Sequence, residues 1–264
     1  MHRSPRAVAT LLATFLLACG DATGSGGGNF AVRFGMENTA AARGNAIDAR
    51  AALAVVDEIS VNGTNGTLTI QDIQMVVSEV TLKRAENSAC VREDRGGGDD
   101  DECKKFEGGP FLVDVPLGGE TVTVLEADVP NGTFRSVEFE VEDFDMDDDD
   151  GDREHRRADE IFAALRVLYP DLPRGANMVV KGTFTPTGGA AKPFIVYFNA
   201  DIEIKQRFEE PLVVEDGGGI TVRIDPAKWF MAGGRVRDLS LLDGRLVEFE
   251  IEMKQGFVKI DCDR

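Results

Sequence analysis

Val137, Phe139 and Val141 alternate with Glu138, Glu140 and Glu142, and no feature of the chain limits its fold more. Successive side chains of a strand point to opposite faces, so this spacing puts three apolar groups on one side and three carboxylates on the other. A helix would scatter both sets around its circumference. The segment therefore predicts a strand with one face in a core and one in water, as in an antiparallel sheet. Similar alternating or β-branched stretches run through 30–36, 68–84, 122–129, 134–144, 177–187, 192–208, 220–225 and 246–253. Asn62-Gly63, Asn65-Gly66 and Asn131-Gly132 supply turns between them, and Gly217 to Gly219 precede another strand.

One segment carries helical spacing instead. RRADEIFAALRVLYPDLP sets Ile161, Phe162, Leu165, Leu168 and Tyr169 on one stripe, and Pro170 ends it. The Ala-rich stretch 40–56 is open between helix and strand. Trp229-Phe230 reads as a core or sheet-edge aromatic cluster in preference to an exposed binding patch, since large apolar side chains are usually buried. The expected fold is all-β: a two-sheet antiparallel β-sandwich over residues 30–264 with one inserted α-helix.

The amino terminus carries an address. MHRSPRAVATLLATFLLACGD has a basic start at Arg3 and Arg6 and an apolar run from Ala7 to Ala18 that leads to Cys19. The run is a secretory signal, because crossing the hydrocarbon takes roughly 20 apolar residues. Leu16-Leu17-Ala18-Cys19 resembles the bacterial lipobox. The resemblance implies cleavage after residue 18, lipidation of Cys19, and a membrane anchor strong enough to be stable because it carries several acyl chains. Gly20 follows where inner-membrane retention would place Asp, which by enterobacterial sorting rules implies the outer membrane of the cell envelope. Residues 19–29 are rich in Gly, Ser and Thr, and read as a flexible tether.

Charge excludes several partners. Removing residues 1–18 takes away two of the 29 basic residues and none of the 47 acidic ones, so 27 minus 47 gives −20. A domain this acidic repels nucleic acid and anionic head groups, leaving a protein or glycan as the expected partner. Glu138 to Asp152 holds ten carboxylates in fifteen residues, and Glu93 to Glu102 holds six in ten. Both blocks read as solvated loops. Calcium, a hard cation, is the cofactor that the run 143–152 of the first block invites, with Asp145, Asp147, Asp149 and Asp152 as its ligands. The EF-hand register fails there, because position twelve falls on Arg156 or Arg157. Carboxylates ahead of the helix also suit its positive end.

Cysteine and histidine complete the inventory. Cys90 and Cys103 flank VREDRGGGDDDE, and an oxidising compartment favours a Cys90–Cys103 disulfide; pairing of either with Cys262 stays open. His155 is the single histidine left after signal cleavage, too few for the usual zinc or copper sites. The chain has no G-x-S-x-G, and its Gly-rich stretches lack the lysine of a phosphate loop. A carboxylate-based hydrolase is therefore the remaining enzymatic alternative.

The lipobox, LTIQDIQMVVSEVTL, GPFLVDVPL, VPNGTFRSVEFEVE, VKGTF and ITVRIDPAKWF together resemble an uncharacterised family of sheet-rich bacterial surface lipoproteins over residues 30–260. A more distant resemblance is to periplasmic copper-binding lipoproteins, whose histidines this chain lacks. The first resemblance implies a lipid-anchored domain with no assigned activity. The expected function is that of a non-enzymatic binding or structural module with no catalytic residues.

Overall fold

The computed structural model describes residues 28–37, 58–85, 105–118, 120–142, 153–214, 218–248 and 256–263. The chain opens with β1 (Gly28–Met36), β2 (Ile59–Gly63), β3 (Gly66–Val77) and β4 (Glu79–Arg84), then β5 (Lys105–Gly108), β6 (Phe111–Asp114), β7 (Thr121–Val129) and β8 (Gly132–Val141). Helix α1 (Arg153–Leu168) separates these from β9 (Met178–Pro186), β10 (Lys192–Asn199), β11 (Ile202–Val214) and β12 (Gly218–Ile224). A short α2 (Pro226–Phe230), the hairpin β13 (Met231–Ala232) and β14 (Arg235–Val236), then β15 (Leu246–Glu248) and β16 (Phe257–Asp263) complete it. The protein is all-β with few helices, as its alternation predicts.

Three sheets share one core. Sheet A has the order β16-β12-β1-β7, sheet B β15-β10-β9-β3-β2 with β6 on the end of β3, and sheet C β11-β8-β4-β5. Most pairings are antiparallel; β1 with β12 and β10 with β15 are parallel. Sheets B and C are halves of one bent layer. β3 continues through Ser78 into β4, and β10 continues through Ala200-Asp201 into β11. Between these two bent chains lie β9 in sheet B and β8 in sheet C. Sheet A closes the other side, where the Phe34 and Phe139 rings meet edge-on at 6.0 Å. Phe30, Val32 and Phe34 of β1 are buried with Val137, Phe139 and Val141 of β8 and Val180 and Phe184 of β9 in one cluster. Strand switching of this kind is how a sandwich turns its corners.

The corner leaves a gap in the ladder that one side chain fills. Ser78 N donates to Glu140 O of β8, and Val76 N donates to the Asn177 carbonyl just before β9. Chain 141–176 thus leaves and re-enters one strand line within two residues of its neighbour. At the re-entry, the fully buried Asn177 side chain donates to Ala200 O at 2.7 Å and accepts from Ala200 N at 2.8 Å. An amide carries the same donor and acceptor as a peptide group, so it continues the ladder where backbone is missing. Asn65 repeats the device at the β2–β3 turn, with Val236 N and O both at 2.8 Å. The tip of that hairpin is Thr64-Asn65, and Asn62-Gly63 belongs to β2 instead of forming a turn of its own.

Helix α1 covers the outer face of sheet B. Ala158, Phe162, Leu165 and Tyr169 pack there on Val76, Val179 and Tyr197. The sequence stripe is thus shifted: Leu168 is 60% exposed, while Ala158 is fully buried. At about 100° per residue, positions 158, 162, 165 and 169 fall within roughly 60° of arc, and Leu168 lies about 90° from its centre. β1 begins at Gly28 because Gly28 and Asn29 pair with Val129 and Asp128, taking the last two residues of the expected tether into the ladder. Backbone pairing needs no apolar side chain. Trp229 and Phe230 are buried in the core, as expected.

Candidate functional site

The period-2 pattern of β8 sets its glutamates on the outer face of sheet C, and register decides what they meet there. Glu140 lies directly between Glu79 of β4 and Glu203 of β11. The next row is Thr81, Glu138 and Lys205, with Glu107 of β5 beyond Thr81. The third is Lys83, Ser136 and Arg207, with Lys105 beyond Lys83. Charge is thus graded along the strands, from a row of carboxylates at the corner to a row of cations at the far end. The middle row is neutralised locally: Lys83 Nζ holds Glu138 Oε1 at 2.7 Å, and Lys205 Nζ lies 4.0 Å from the same oxygen. Glu138 is nearly buried beneath them.

Like charges directly across a sheet oppose pairing. Glu140 carries the consequence: partial burial, then Glu79, Glu142, Glu203 and Glu138, raise its carboxyl above the ordinary range. Burial raises Glu142 as well, followed by Asp201 and Glu79. A raised folded-state value in an acid means a penalty absent at low pH that appears as pH rises through the ordinary carboxylate value and is complete above the raised one. Glu140→Gln is therefore expected to stabilise the domain at pH 8 by about 0.5 kcal/mol, a modest figure because solvent beside this partly buried group screens the repulsion. The gain should vanish at pH 4. Urea midpoints at the two pH values measure it, and a gain that persists in acid contradicts the charge explanation.

A second cluster joins sheet B to α1. Tyr169 donates its hydroxyl to Asp72 Oδ2, and Gln74 Nε2 donates to Asp72 Oδ1 at 3.0 Å. The buried Gln74 also stands opposite Asp114, its register partner on β6, so its amide lies among two carboxylates. Burial raises Asp114, with Asp72 adding to the effect and Gln74 opposing it. Burial and the bond to Asp72 hold the Tyr169 phenol far above its usual range. Nearby, the Arg157 guanidinium lies 5.3 Å from the Phe111 ring centroid. The arrangement pins both ends of α1 to β3 and β6. It also brings Asp72 near enough to Asp114 for their carboxylates to repel each other.

The residues singled out in the sequence fall mostly elsewhere. Cys19, Cys90, Cys103, Asp145, Asp147, Asp149 and Asp152 all lie outside the described residues. Register does place their surroundings. β4 and β5 pair at Lys83 and Lys105, so the chain leaves β4 toward Cys90 and enters β5 after Cys103 at the cationic end of sheet C. The run bearing the four aspartates starts after Glu142, at the carboxylate end. The two acidic blocks therefore root at opposite ends of the sheet. Cys262 is exposed on β16, opposite Ile220. Among the described residues no group of three or more His, Cys, Asp or Glu is arranged to hold a metal ion.

No protein-family model matches the chain, no curated protein matches it, and no solved structure matches it. No helix among the described residues is long and apolar enough to cross a membrane.

The carboxylate row was half visible beforehand. Glu138, Glu140 and Glu142 announce themselves by alternation, but Glu79 and Glu203 join them only through pairing across sixty residues of chain in each direction, roughly. The Asp72, Gln74, Asp114 and Tyr169 cluster had no signal, since its members come from three elements and no local spacing relates them.

Proposed function

We propose that the protein is a lipid-anchored, non-enzymatic binding or structural module of the bacterial cell envelope. One observation carries this reading: Leu16-Leu17-Ala18-Cys19 is followed, within nine residues, by β1, an interior strand of the folded domain. An anchor joined to an interior strand transmits any pull to the paired sheet, because β1 is hydrogen-bonded on both sides. The outer face of sheet C, graded in charge and with Glu203, Lys205 and Arg207 exposed among the described residues, supports the binding role: ordered charges favour recognition of a protein or glycan partner over nucleic acid, which the net charge repels.

Metabolic labelling with an alkyne fatty acid tests the anchor. The wild-type chain is expected to take up label and to sediment with membranes. Cys19→Ala should lose at least nine-tenths of the label and fractionate as soluble protein. Undiminished labelling in Cys19→Ala refutes the reading.

A further inference from the structure

We propose that the anchored domain stands end-on, with the β7–β8 turn toward the bilayer and the carboxylate row of sheet C, together with the root of α1, turned away from it. This rests on the lipid-anchor reading of Cys19 and adds to it which surface is free to meet a partner. Gly28 opens β1 opposite Val129, the last residue of β7, and the chain turns through Pro130-Asn131 into β8. Gly132 pairs with Val214 of β11, and Ala85, just after β4, donates to Thr133 O. The point where the tether joins is thus also the end of β4, β7 and β11 and the start of β8. β8 runs away from it, and Glu140 lies eight residues further on, about 27 Å along the strand.

Tether length decides between orientations. Residues 19–27 are nine, and Gly, Ser and Thr dominate them. Nine residues span at most about 30 Å whatever their conformation. Laying Glu79, Glu140 and Glu203 on the bilayer requires the tether to double back along the whole of β8, at nearly its limit. Standing on the β7–β8 turn requires no such stretch.

Lipidated full-length chain in vesicles of phosphatidylethanolamine and phosphatidylglycerol, doped with a nitroxide-headgroup lipid, tests the orientation. A maleimide fluorophore is placed through Asn131→Cys at the turn or Asp201→Cys at the corner, each in a Cys262→Ser background, with the Cys262→Ser chain alone giving the labelling background. Should Asp201→Cys fail to fold, Glu203→Cys reports on the same corner. The expected result is quenching at position 131 at least threefold stronger than at the corner. Equal quenching, stronger quenching at the corner, or no quenching at either position in chain that floats with the vesicles overturns the orientation. Chain that neither floats nor quenches, and so behaves like Cys19→Ala, overturns the anchor reading instead.

Discussion

Asn177→Leu should cost the domain about 3 kcal/mol, among the largest losses available from a single substitution of similar volume. The side chain is fully buried and makes both of its bonds to one residue, the N–H and C=O of Ala200. Leucine fills the space but leaves that donor and acceptor without partners in the core, at roughly 1–3 kcal/mol for each. For a domain of this size the melting temperature should fall by roughly 6–12 °C. Asn177→Asp separates hydrogen bonding from volume. A neutral carboxyl keeps one donor and one acceptor, whereas a carboxylate keeps only acceptors and buries a charge. Its melting temperature relative to wild type should therefore recover as pH falls. A loss under 0.5 kcal/mol in Asn177→Leu, or no recovery for Asn177→Asp in acid, would show that the ladder closes by some other means.

Trp229 should be the most costly aromatic to truncate. It is 1% exposed, meets Phe230 edge-on at 6.2 Å, and lies 6.0 Å from the Phe257 ring. Asp225 caps the short helix that presents it, accepting from Ala227 N at 3.1 Å. Trp229→Ala is expected to lose roughly 3–5 kcal/mol by transfer and cavity terms together. Gly256 supplies a sharper test. A Cβ there would come within 1.5 Å of Trp229 Nε1, while Gly256 O accepts from Asp225 N at 2.6 Å and holds the backbone in place. Gly256→Ala must therefore displace the indole. Because Trp229 is the single tryptophan of the chain, its emission reads this directly. Wild-type emission should be that of a buried indole. Gly256→Ala should shift it to the red and lower the urea midpoint, and an unshifted spectrum with full stability would refute the packing.

How much of this was readable in advance depends on the range of the signal. The faces of β8 follow from neighbours two residues apart, and Val137, Phe139 and Val141 are buried as their spacing requires. β16 carries the same alternation, Lys259 and Asp261 against Ile260 and Cys262, but over too few residues to stand out as a strand. The break at Ser78 had no such signature. Residues 68–84 look like one strand, and they are one chain that bends between two sheets. The bend is fixed from outside, where Gly109 packs so closely that a Cβ would sit 2.1 Å from Ser78 O. Leu168 shows the opposite limit: an apolar residue beside the stripe, it is turned to solvent by about 90° of helix.

What the sequence by itself determined is local and chemical: which residues alternate, where α1 stops before Pro170, and how acidic the domain must be. Those depend on covalent order and on side-chain periods of 2.0 and 3.6 residues. Tertiary structure alone decided which carboxylates face one another. Glu79, Glu140 and Glu203 form a row, Gln74 faces Asp114 across the ladder, and Asn177 completes a ladder for Ala200, because strands far apart in the chain pair in one register. A slip of one residue in any of those pairings would turn every side chain to the opposite face. Register is set by the summed burial of whole strands, a quantity that no window of sequence contains.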